Sequence, residues 1–195
     1  MMKPALVTSL ATVLALITAP MVAAKGLEYS YADVGYLNYQ GDDYDMQGAT
    51  VDASFGVFDL VSLRGGYTRG WTDHYDTGGG QSDDPDVNEF RFGVRPHYSL
   101  TKTIDAYVDL LYTNKKYNGD RSNTEIGGIY GAGIRYLATK KLELDLGGEY
   151  QSADIDSGFG SVGAIYKFTK AFGISANARV ASDDQYYFGG LRLNF

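Results

Sequence analysis

Hydrophobic side chains recur at every second position along most of the chain from Leu27 onward, which is the period of a β-strand with two different faces. In residues 89–100 the even positions are apolar or aromatic, whereas the odd positions include Glu89, Arg95 and His97. Applied to the whole chain, this pattern predicts ten strands, near 27–39, 48–58, 60–70, 89–100, 103–114, 125–137, 142–152, 158–168, 171–181 and 185–195.

The predicted connections alternate in length along the chain. Tight turns are expected at 59, 101–103, 138–141 and 169–170, and generally longer polar connections at 40–47, 71–88, 115–124, 153–157 and 182–184. An even number of strands with this alternation is typical of a membrane barrel that has short periplasmic turns and longer external loops. We therefore predict an all-β fold, an up-and-down antiparallel transmembrane β-barrel with both termini at the short-turn end.

Two positions do not fit the pattern. Asp33 falls in phase with the apolar positions Tyr31 and Leu37, so we expect a β-bulge or a change of face there. Pro96 has no backbone N–H, so a ladder hydrogen bond should be missing beside it. The pattern of the other strands is unaffected.

Alternation alone does not say which face lies inside, because a secreted soluble barrel such as a lipocalin would bury its apolar face. Here the aromatic residues of the apolar face gather at the strand ends, as in the interfacial girdles of membrane barrels. Mid-strand positions of that face, such as Val108, Leu146 and Ala176, carry no charge, and the only tryptophan, Trp71, is too late for the early Gly-x-Trp signature of lipocalins. The apolar face is therefore predicted to contact lipid. The predicted girdles are Tyr67, Trp71, Phe90, Tyr112, Tyr150 and Tyr187 near the loops, and Tyr98, Tyr136, Tyr166, Phe168, Phe172 and Phe195 near the turns.

The first 24 residues have the layout of a secretory signal peptide. Lys3 precedes an apolar run over 5–19, which is followed by Pro20 and the small-residue ending of 22–24. We predict a signal peptide at 1–24 and a barrel domain at 25–195. The chain has no cysteine, which excludes disulfides, thiolate zinc sites and a cysteine nucleophile. Its net charge of -7 without basic clusters argues against a nucleic-acid partner.

The C-terminal strand alternates through Tyr187, Leu191 and Leu193 and ends on Phe195. It resembles the terminal strand of bacterial outer-membrane barrels, and the predicted mature chain resembles the small outer-membrane β-barrel superfamily of OmpA-like and OmpX-like proteins. The resemblance implies a location in the outer membrane of a Gram-negative bacterium, surrounded by outer-membrane lipid and lipopolysaccharide. It also implies that Phe195 belongs to a signal read by the barrel assembly machinery during insertion. Those relatives usually have eight strands, which is the alternative to ten.

The face predicted to line the lumen carries charges of both signs. By height on neighbouring strands, Arg64, Arg95 and Asp109 should meet near the middle of the barrel. Arg135 should meet Glu143 or Asp145 near the turns. Charges removed from water must pair or stay hydrated, so we interpret this set as a network that plugs the lumen, with a thin hydrated path as the alternative.

The predicted connection 71–88 is rich in aspartate, with Asp83, Asp84 and Asp86 close together. Such carboxylates are a candidate divalent-cation or surface-interaction site, although their spacing fits no calcium loop and solvated charge beside lipopolysaccharide is the simpler interpretation. We predict no metal and no cofactor.

Catalysis is the remaining function class. His97 and Ser99 resemble the His-x-Ser pair of lipid A deacylases, but they are predicted near the periplasmic turns, away from the outer leaflet. His74 beside Asp73 resembles the Asp-His pair of omptin proteases. In those proteases a second carboxylate pair comes from strands that extend well above the membrane, and this chain is too short for such strands. We therefore predict a non-enzymatic barrel with a structural or cell-surface interaction role. A narrow pore for small solutes or ions is the alternative.

Processing of the signal peptide gives a direct test of this reading. The mature protein should begin near Lys25 and should fractionate with outer membranes, because the apolar run over 5–19 is removed during export. N-terminal sequencing of the membrane-fraction protein checks this. Recovery of a soluble protein that retains Met1 would contradict it.

Overall fold

The computed structural model describes residues 27–41, 44–73, 86–118, 123–153 and 157–195. Within these ranges ten antiparallel strands form a closed barrel, in which each strand pairs with its neighbours in the chain and the last pairs with the first. Ten strands are thus confirmed and the alternative of eight is wrong. The described residues include no helix with the length and hydropathy of a membrane span. The predicted signal peptide, 1–24, lies outside the described residues.

The strands are β1 (Tyr31–Gln40), β2 (Asp45–Phe58), β3 (Val61–Asp73), β4 (Asp86–Ser99), β5 (Ile104–Asn118), β6 (Asn123–Leu137), β7 (Leu142–Gln151), β8 (Ser157–Lys167), β9 (Phe172–Val180) and β10 (Gln185–Asn194). The turns β2–β3, β4–β5, β6–β7 and β8–β9 lie at one end of the barrel with the start of β1 and the end of β10, and we call this the periplasmic end. The opposite end, which carries the 12-residue connection 74–85, is called the loop end.

Strands β2 to β6 continue further toward the loop end than their hydrophobic pattern predicts. β2 begins at Asp45 instead of residue 48, and β5 ends at Asn118 instead of residue 114. Outward positions above the lipid have no need of apolar side chains, so hydrophobic alternation fades before the ladder of hydrogen bonds does. Lys115 and Lys116, predicted in a loop, therefore lie in β5.

The predicted orientation of the two faces is confirmed for β2 to β10. Leu146 and Leu191 are each 66% exposed on the outer surface, whereas Arg95, Asp109 and Arg135 are buried in the lumen. The predicted girdle residues are exposed at both ends of the strands, except for the half-buried Phe195. A continuous exposed apolar belt would be an aggregation site in water and is the expected surface in lipid.

The first strand corrects one prediction. β1 begins at Tyr31 rather than residue 27, and Asp33 points into the lumen together with Leu37 and Tyr39, while Val34 faces outward. The register with β2 and β10 is continuous, so the expected bulge or change of face at Asp33 is wrong. The aromatic side of this strand lines the lumen, and for that reason a carboxylate lies in phase with it.

The irregularities of the sheet lie elsewhere. The register of β2 against β3 shifts between Gly56 and Phe58, beside the turn at 59–60. Pairing of β4 with β5 is interrupted at Pro96 but resumes in the same register, with Val94 opposite Leu110 before the gap and His97 opposite Tyr107 after it. The predicted loss of pairing at the proline therefore leaves the positions of the lumenal side chains unchanged.

The lipid-facing assignment can be tested with two arginine substitutions. Leu146→Arg, on the exposed belt of β7, should destabilise the barrel by about 2 to 4 kcal/mol because it places a charge toward the bilayer midplane. Ile126→Arg is its control, because Ile126 is 62% exposed near the loop end of β6, where the cost should be roughly 0 to 1 kcal/mol. Urea unfolding in lipid vesicles measures both free energies. Equal losses would contradict the depth assignment.

Candidate functional site in the lumen

The candidate site is the lumen, which every strand lines with alternate side chains. Arginine and tyrosine side chains fit there because several inward positions are glycine. A Cβ on Gly133 would lie 2.5 Å from the Tyr107 hydroxyl, and one on Gly66 would lie 3.2 Å from the Arg91 guanidinium. Neighbouring strands therefore place large polar side chains beside glycines, which leaves room for a packed, polar interior.

A three-residue cluster crosses the middle of the lumen. Arg64 Nη1 donates to Asp109 Oδ2 at 2.9 Å, and Arg95 donates to the same carboxylate from Nε at 2.8 Å and from Nη2 at 2.6 Å. All three side chains are largely buried. The structure thus brings together the three residues that the sequence places at one height, and one carboxylate accepts from two guanidinium groups.

Two further ion-pair groups lie toward the loop end. Arg91 Nη2 lies 3.2 Å from Asp52 Oδ2, and Arg91 Nη1 lies 3.5 Å from Glu89 Oε2. On the other side of the lumen, Arg179 Nη1 donates to Glu149 Oε1 at 2.5 Å. Thr113 also donates to Glu89 at 3.1 Å, so a hydroxyl group adds to the ionic contacts.

The seam between the first and last strands carries its own pair. Arg192 donates to Asp33 from Nε at 2.9 Å and from Nη2 at 2.5 Å, and Ser175 donates to Asp33 Oδ1 at 2.8 Å. Asp33 and Arg192 are directly opposite each other in the register of β1 and β10. This two-point contact holds together the two strands that are farthest apart in the chain.

Near the periplasmic end Arg135 pairs with Glu143, the first of the two partners proposed from the sequence. Asp145 lies directly opposite Arg135 in the β6–β7 register, yet it accepts from the Tyr107 hydroxyl at 2.9 Å. Glu143 is fully buried and also has Lys167 Nζ 3.7 Å from its Oε2. Two cations therefore surround one buried carboxylate.

Four lumenal arginines also stack on tyrosine rings. The guanidinium carbon lies 3.6 to 4.3 Å from the ring centroid in each pair: Arg95 on Tyr107, Arg135 on Tyr29, Arg179 on Tyr186 and Arg192 on Tyr31. A ring face attracts a cation most strongly when water is excluded. Each of these arginines is therefore held between a carboxylate and an aromatic face.

A cavity of about 180 Å³ remains among these groups. Its described lining includes six arginines and five carboxylates, which almost balance in charge. They are Arg64, Arg91, Arg95, Arg135, Arg179 and Arg192, with Asp33, Asp52, Asp109, Asp145 and Glu149. This space has the volume of a few water molecules.

The periplasmic mouth is covered by residues 27–30, which we call the N-terminal segment and which precede β1. Leu27 and Tyr29 are buried, and the Tyr29 ring stacks on His97 at 3.6 Å between centroids and 6° between planes. Arg135 donates to the Glu28 carbonyl at 3.0 Å, and Lys167 lies 3.3 Å from the Glu28 carboxylate. Burial raises the pKa of the Tyr29 phenol above its usual value, so this residue is uncharged.

An apolar and aromatic cluster, called here the loop-end cap, packs at the loop end of the lumen. Its buried members are Leu37, Tyr39, Tyr44, Met46, Val87 and Tyr117, with Tyr186 packed against them. Lys115 reaches into the cap and donates to the Tyr44 hydroxyl at 2.7 Å, beside the ring of Tyr117. Sequence reasoning missed both closures. The phase of Asp33 was the available signal, since it places Leu37 and Tyr39 inside.

The remaining predicted site residues form no common site. Asp83 and Asp84 lie outside the described residues, and Asp86 is an exposed residue of β4 that pairs with Arg69 at 3.2 Å. No described group of three or more His, Asp or Glu residues could hold a metal ion, and the divalent-cation site stays a prediction. Phe195 follows β10, and its N–H donates to the Ser30 carbonyl at 3.2 Å. Its assembly role also stays a prediction.

The His-x-Ser pair considered for catalysis is divided between the interior and the surface of the barrel. His97 is buried against Tyr29, whereas Ser99 is exposed at the end of β4. His74 lies outside the described residues. The His-x-Ser spacing thus sends its two side chains to different environments.

Comparison with known proteins gives a family match over most of the chain. The model of the outer membrane protein beta-barrel domain matches residues 8–179. A search of curated proteins found no significant match.

Solved structures share the fold at low sequence identity. The barrel is similar to the KdgM porin in complex with disordered oligogalacturonate, with a TM-score of 0.50, 15% identity and coverage of 85% of this chain and 99% of that chain. It is similar to the NanC porin, with a TM-score of 0.52, 10% identity and coverage of 84% and 100%. It is also similar to the translocator domain of the autotransporter NalP from Neisseria meningitidis, with a TM-score of 0.51, 12% identity and coverage of 96% of this chain and 94% of that chain.

The mid-lumen cluster predicts a strong coupling between two residues. Asp109→Ala should cost about 3 to 5 kcal/mol, because it leaves Arg64 and Arg95 buried without their carboxylate. Asp109→Ala combined with Arg95→Ala should cost less than the sum of the two single losses, since one uncompensated cation is removed. Urea unfolding in lipid vesicles completes the double-mutant cycle. Additive losses would show that the pair does not interact.

Proposed function

We propose that this chain, which belongs to the family of outer membrane protein beta-barrel domains and lies in the outer membrane, is a closed barrel with a structural or cell-surface interaction role. The observation that carries the proposal is the set of contacts at three levels of the lumen. The N-terminal segment covers the periplasmic mouth, ion pairs cross the middle, and the loop-end cap covers the other mouth.

The ion pairs support a plug rather than a conduit. Each of the six arginines that line the cavity lies within 3.5 Å of an acidic group or is hydrogen-bonded to one, among the residues that the structure describes. A permeating ion would have to separate such a pair and lose its own hydration water. Removing a charge from water into this interior costs several kcal/mol per ion. A network of this kind holds the wall of the barrel together and leaves no free charge to select an ion.

A closed lumen leaves the loop end as the region where contacts outside the cell can form. Strands β2 to β6 project there beyond the hydrophobic belt, with exposed charged residues such as Arg69, Asp86 and Lys116. The acidic connection that contains Asp83 and Asp84 starts from the same rim. We propose that this rim and its loops provide the interaction surface, in contact with lipopolysaccharide or another surface ligand.

The second candidate is a narrow pore for small solutes or ions. The cavity of about 180 Å³ favours it, because a continuous polar space already exists between the two closures. KdgM and NanC, two of the structures with the same fold, are porins. For this chain, conduction would require both mouths to open, whereas the surface role requires neither.

We also propose that the protein has no enzymatic activity. Among the described residues, the only histidine is buried and stacked against Tyr29. Lumenal carboxylates such as Asp109 and Asp145 are bound to arginines or to a tyrosine, which leaves them unsuited to act as general bases.

Conductance in a planar bilayer separates the two candidates. The purified barrel should insert without steady single-channel currents, because the N-terminal segment and the loop-end cap close the two mouths of the lumen. Deletion of residues 76–84 should still give no steady currents and should weaken binding of the protein to lipopolysaccharide. Steady currents from the unmodified protein would favour the pore, and unchanged lipopolysaccharide binding after the deletion would contradict the proposed surface.

A further inference from the structure

We propose that the N-terminal segment is a displaceable plug, so that the lumenal cavity opens toward the periplasm while the loop-end cap stays closed. The inference rests on the closed lumen proposed above and adds to it a movable part and a direction of access.

The N-terminal segment is held by side chains rather than by strand pairing. Residues 27–30 belong to no strand, and pairing of β1 begins at Tyr31. Ser30 forms the anchor at the base of the segment, since its carbonyl accepts from Phe195 N–H at 3.2 Å and its hydroxyl accepts from Gly56 N–H at 3.2 Å. Beyond this anchor, residues 27–29 can leave the lumen without breaking a ladder hydrogen bond.

The groups under the segment are not fully satisfied in the closed state. His97 Nε2, Arg135 Nη1 and Glu143 Oε2 are buried and have no hydrogen-bond partner among the described residues, although Lys167 Nζ lies 3.7 Å from the Glu143 oxygen. A buried polar atom without a hydrogen bond costs roughly 1 to 3 kcal/mol. Admitting water at this end would satisfy these atoms, which offsets part of the loss of the Tyr29 stack.

The loop-end cap is built differently. Five of its buried members, Leu37, Tyr39, Met46, Val87 and Tyr117, are strand residues with cross-strand partners. Their backbones move only if the barrel wall moves. Tyr44 is the one buried member in a connection, and it is held by Lys115 and by the Tyr117 hydroxyl at 3.0 Å.

The cavity extends to the underside of the segment. Arg135 and Tyr31 line it, and Arg135 Cζ lies 4.3 Å from the centroid of the Tyr29 ring. Removal of that ring would therefore join the cavity to the periplasmic mouth. The loop-end cap stays closed, so the opened state is a pocket that opens to the periplasm and not a through-channel.

The absence of cysteine from the chain makes thiol labelling a clean test. Ser161→Cys places one thiol on the cavity wall with a conservative change. In detergent, where both ends are accessible, a charged methanethiosulfonate reagent should modify this thiol slowly. Tyr29→Ala in the same background should accelerate the reaction about tenfold, because labelling of a closed site follows the population of its open state. Glu28→Gln, which removes only the contact with the Lys167 ammonium, should give a smaller increase.

Two controls use the same type of substitution at other places. Tyr36→Ala changes an outward tyrosine of β1, and Tyr44→Ala changes the loop-end cap. Both should leave the labelling rate within about twofold of the parent rate, because the lumen is proposed to open only at the periplasmic end. Heat-modifiable migration on gels verifies that each variant is folded.

The outcomes separate the plug from the proposed function. A slow parent reaction that neither Tyr29→Ala nor Glu28→Gln accelerates would overturn the plug and leave the closed barrel intact. A larger acceleration by Tyr44→Ala than by Tyr29→Ala would overturn the direction of access. A parent thiol that reacts as fast as a solvent-exposed cysteine would overturn the closed lumen itself, and with it the need for a plug.

Discussion

The hydrogen-bonding demand of the backbone in lipid is the constraint on which the rest of the structure depends. A bilayer core offers no partner for an unpaired N–H or C=O, so a sheet that crosses it must close on itself. Here closure pairs Tyr31 with Asn194 at one end of the seam and Gln40 with Gln185 at the other. Closure of only ten strands then directs about half of all strand side chains into a narrow interior.

The contents of that interior follow from the chemistry of the outer surface. Outward positions must be apolar over the height of the hydrocarbon, and the charges of the strands are therefore concentrated inside. Charges in a narrow space pair with each other, and the arginines do so between a carboxylate and, in four cases among the described residues, a tyrosine ring. Asp33 with Arg192 shows the effect most directly, because the same contact neutralises two charges and joins the seam.

The sequence predicted the fold and part of the site for a physical reason that also explains the failures. Period-two alternation depends on contact with lipid, so it located ten strands, both girdles and the height at which Arg64, Arg95 and Asp109 meet. Where the chain leaves the lipid the signal is lost. For that reason the strand extension that carries Lys115 and the buried segment that carries Tyr29 were not predicted. The aromatic inner face of β1 was misread because a tyrosine fits both a girdle and a lumen.

The two closures and the charged network depend on each other. The N-terminal segment lies beside His97, which precedes the exposed Tyr98 of the girdle near the turns. At the other end, Val87 of the loop-end cap follows Asp86, which lies opposite Trp71 of the girdle near the loops. The ion pairs are thus confined between the two membrane interfaces. Excluding bulk water strengthens each pair and raises the cost of any group left unpaired. A closure that satisfied all of its polar atoms would be permanent. The unsatisfied atoms around Glu143 therefore make the periplasmic end the less stable of the two closures.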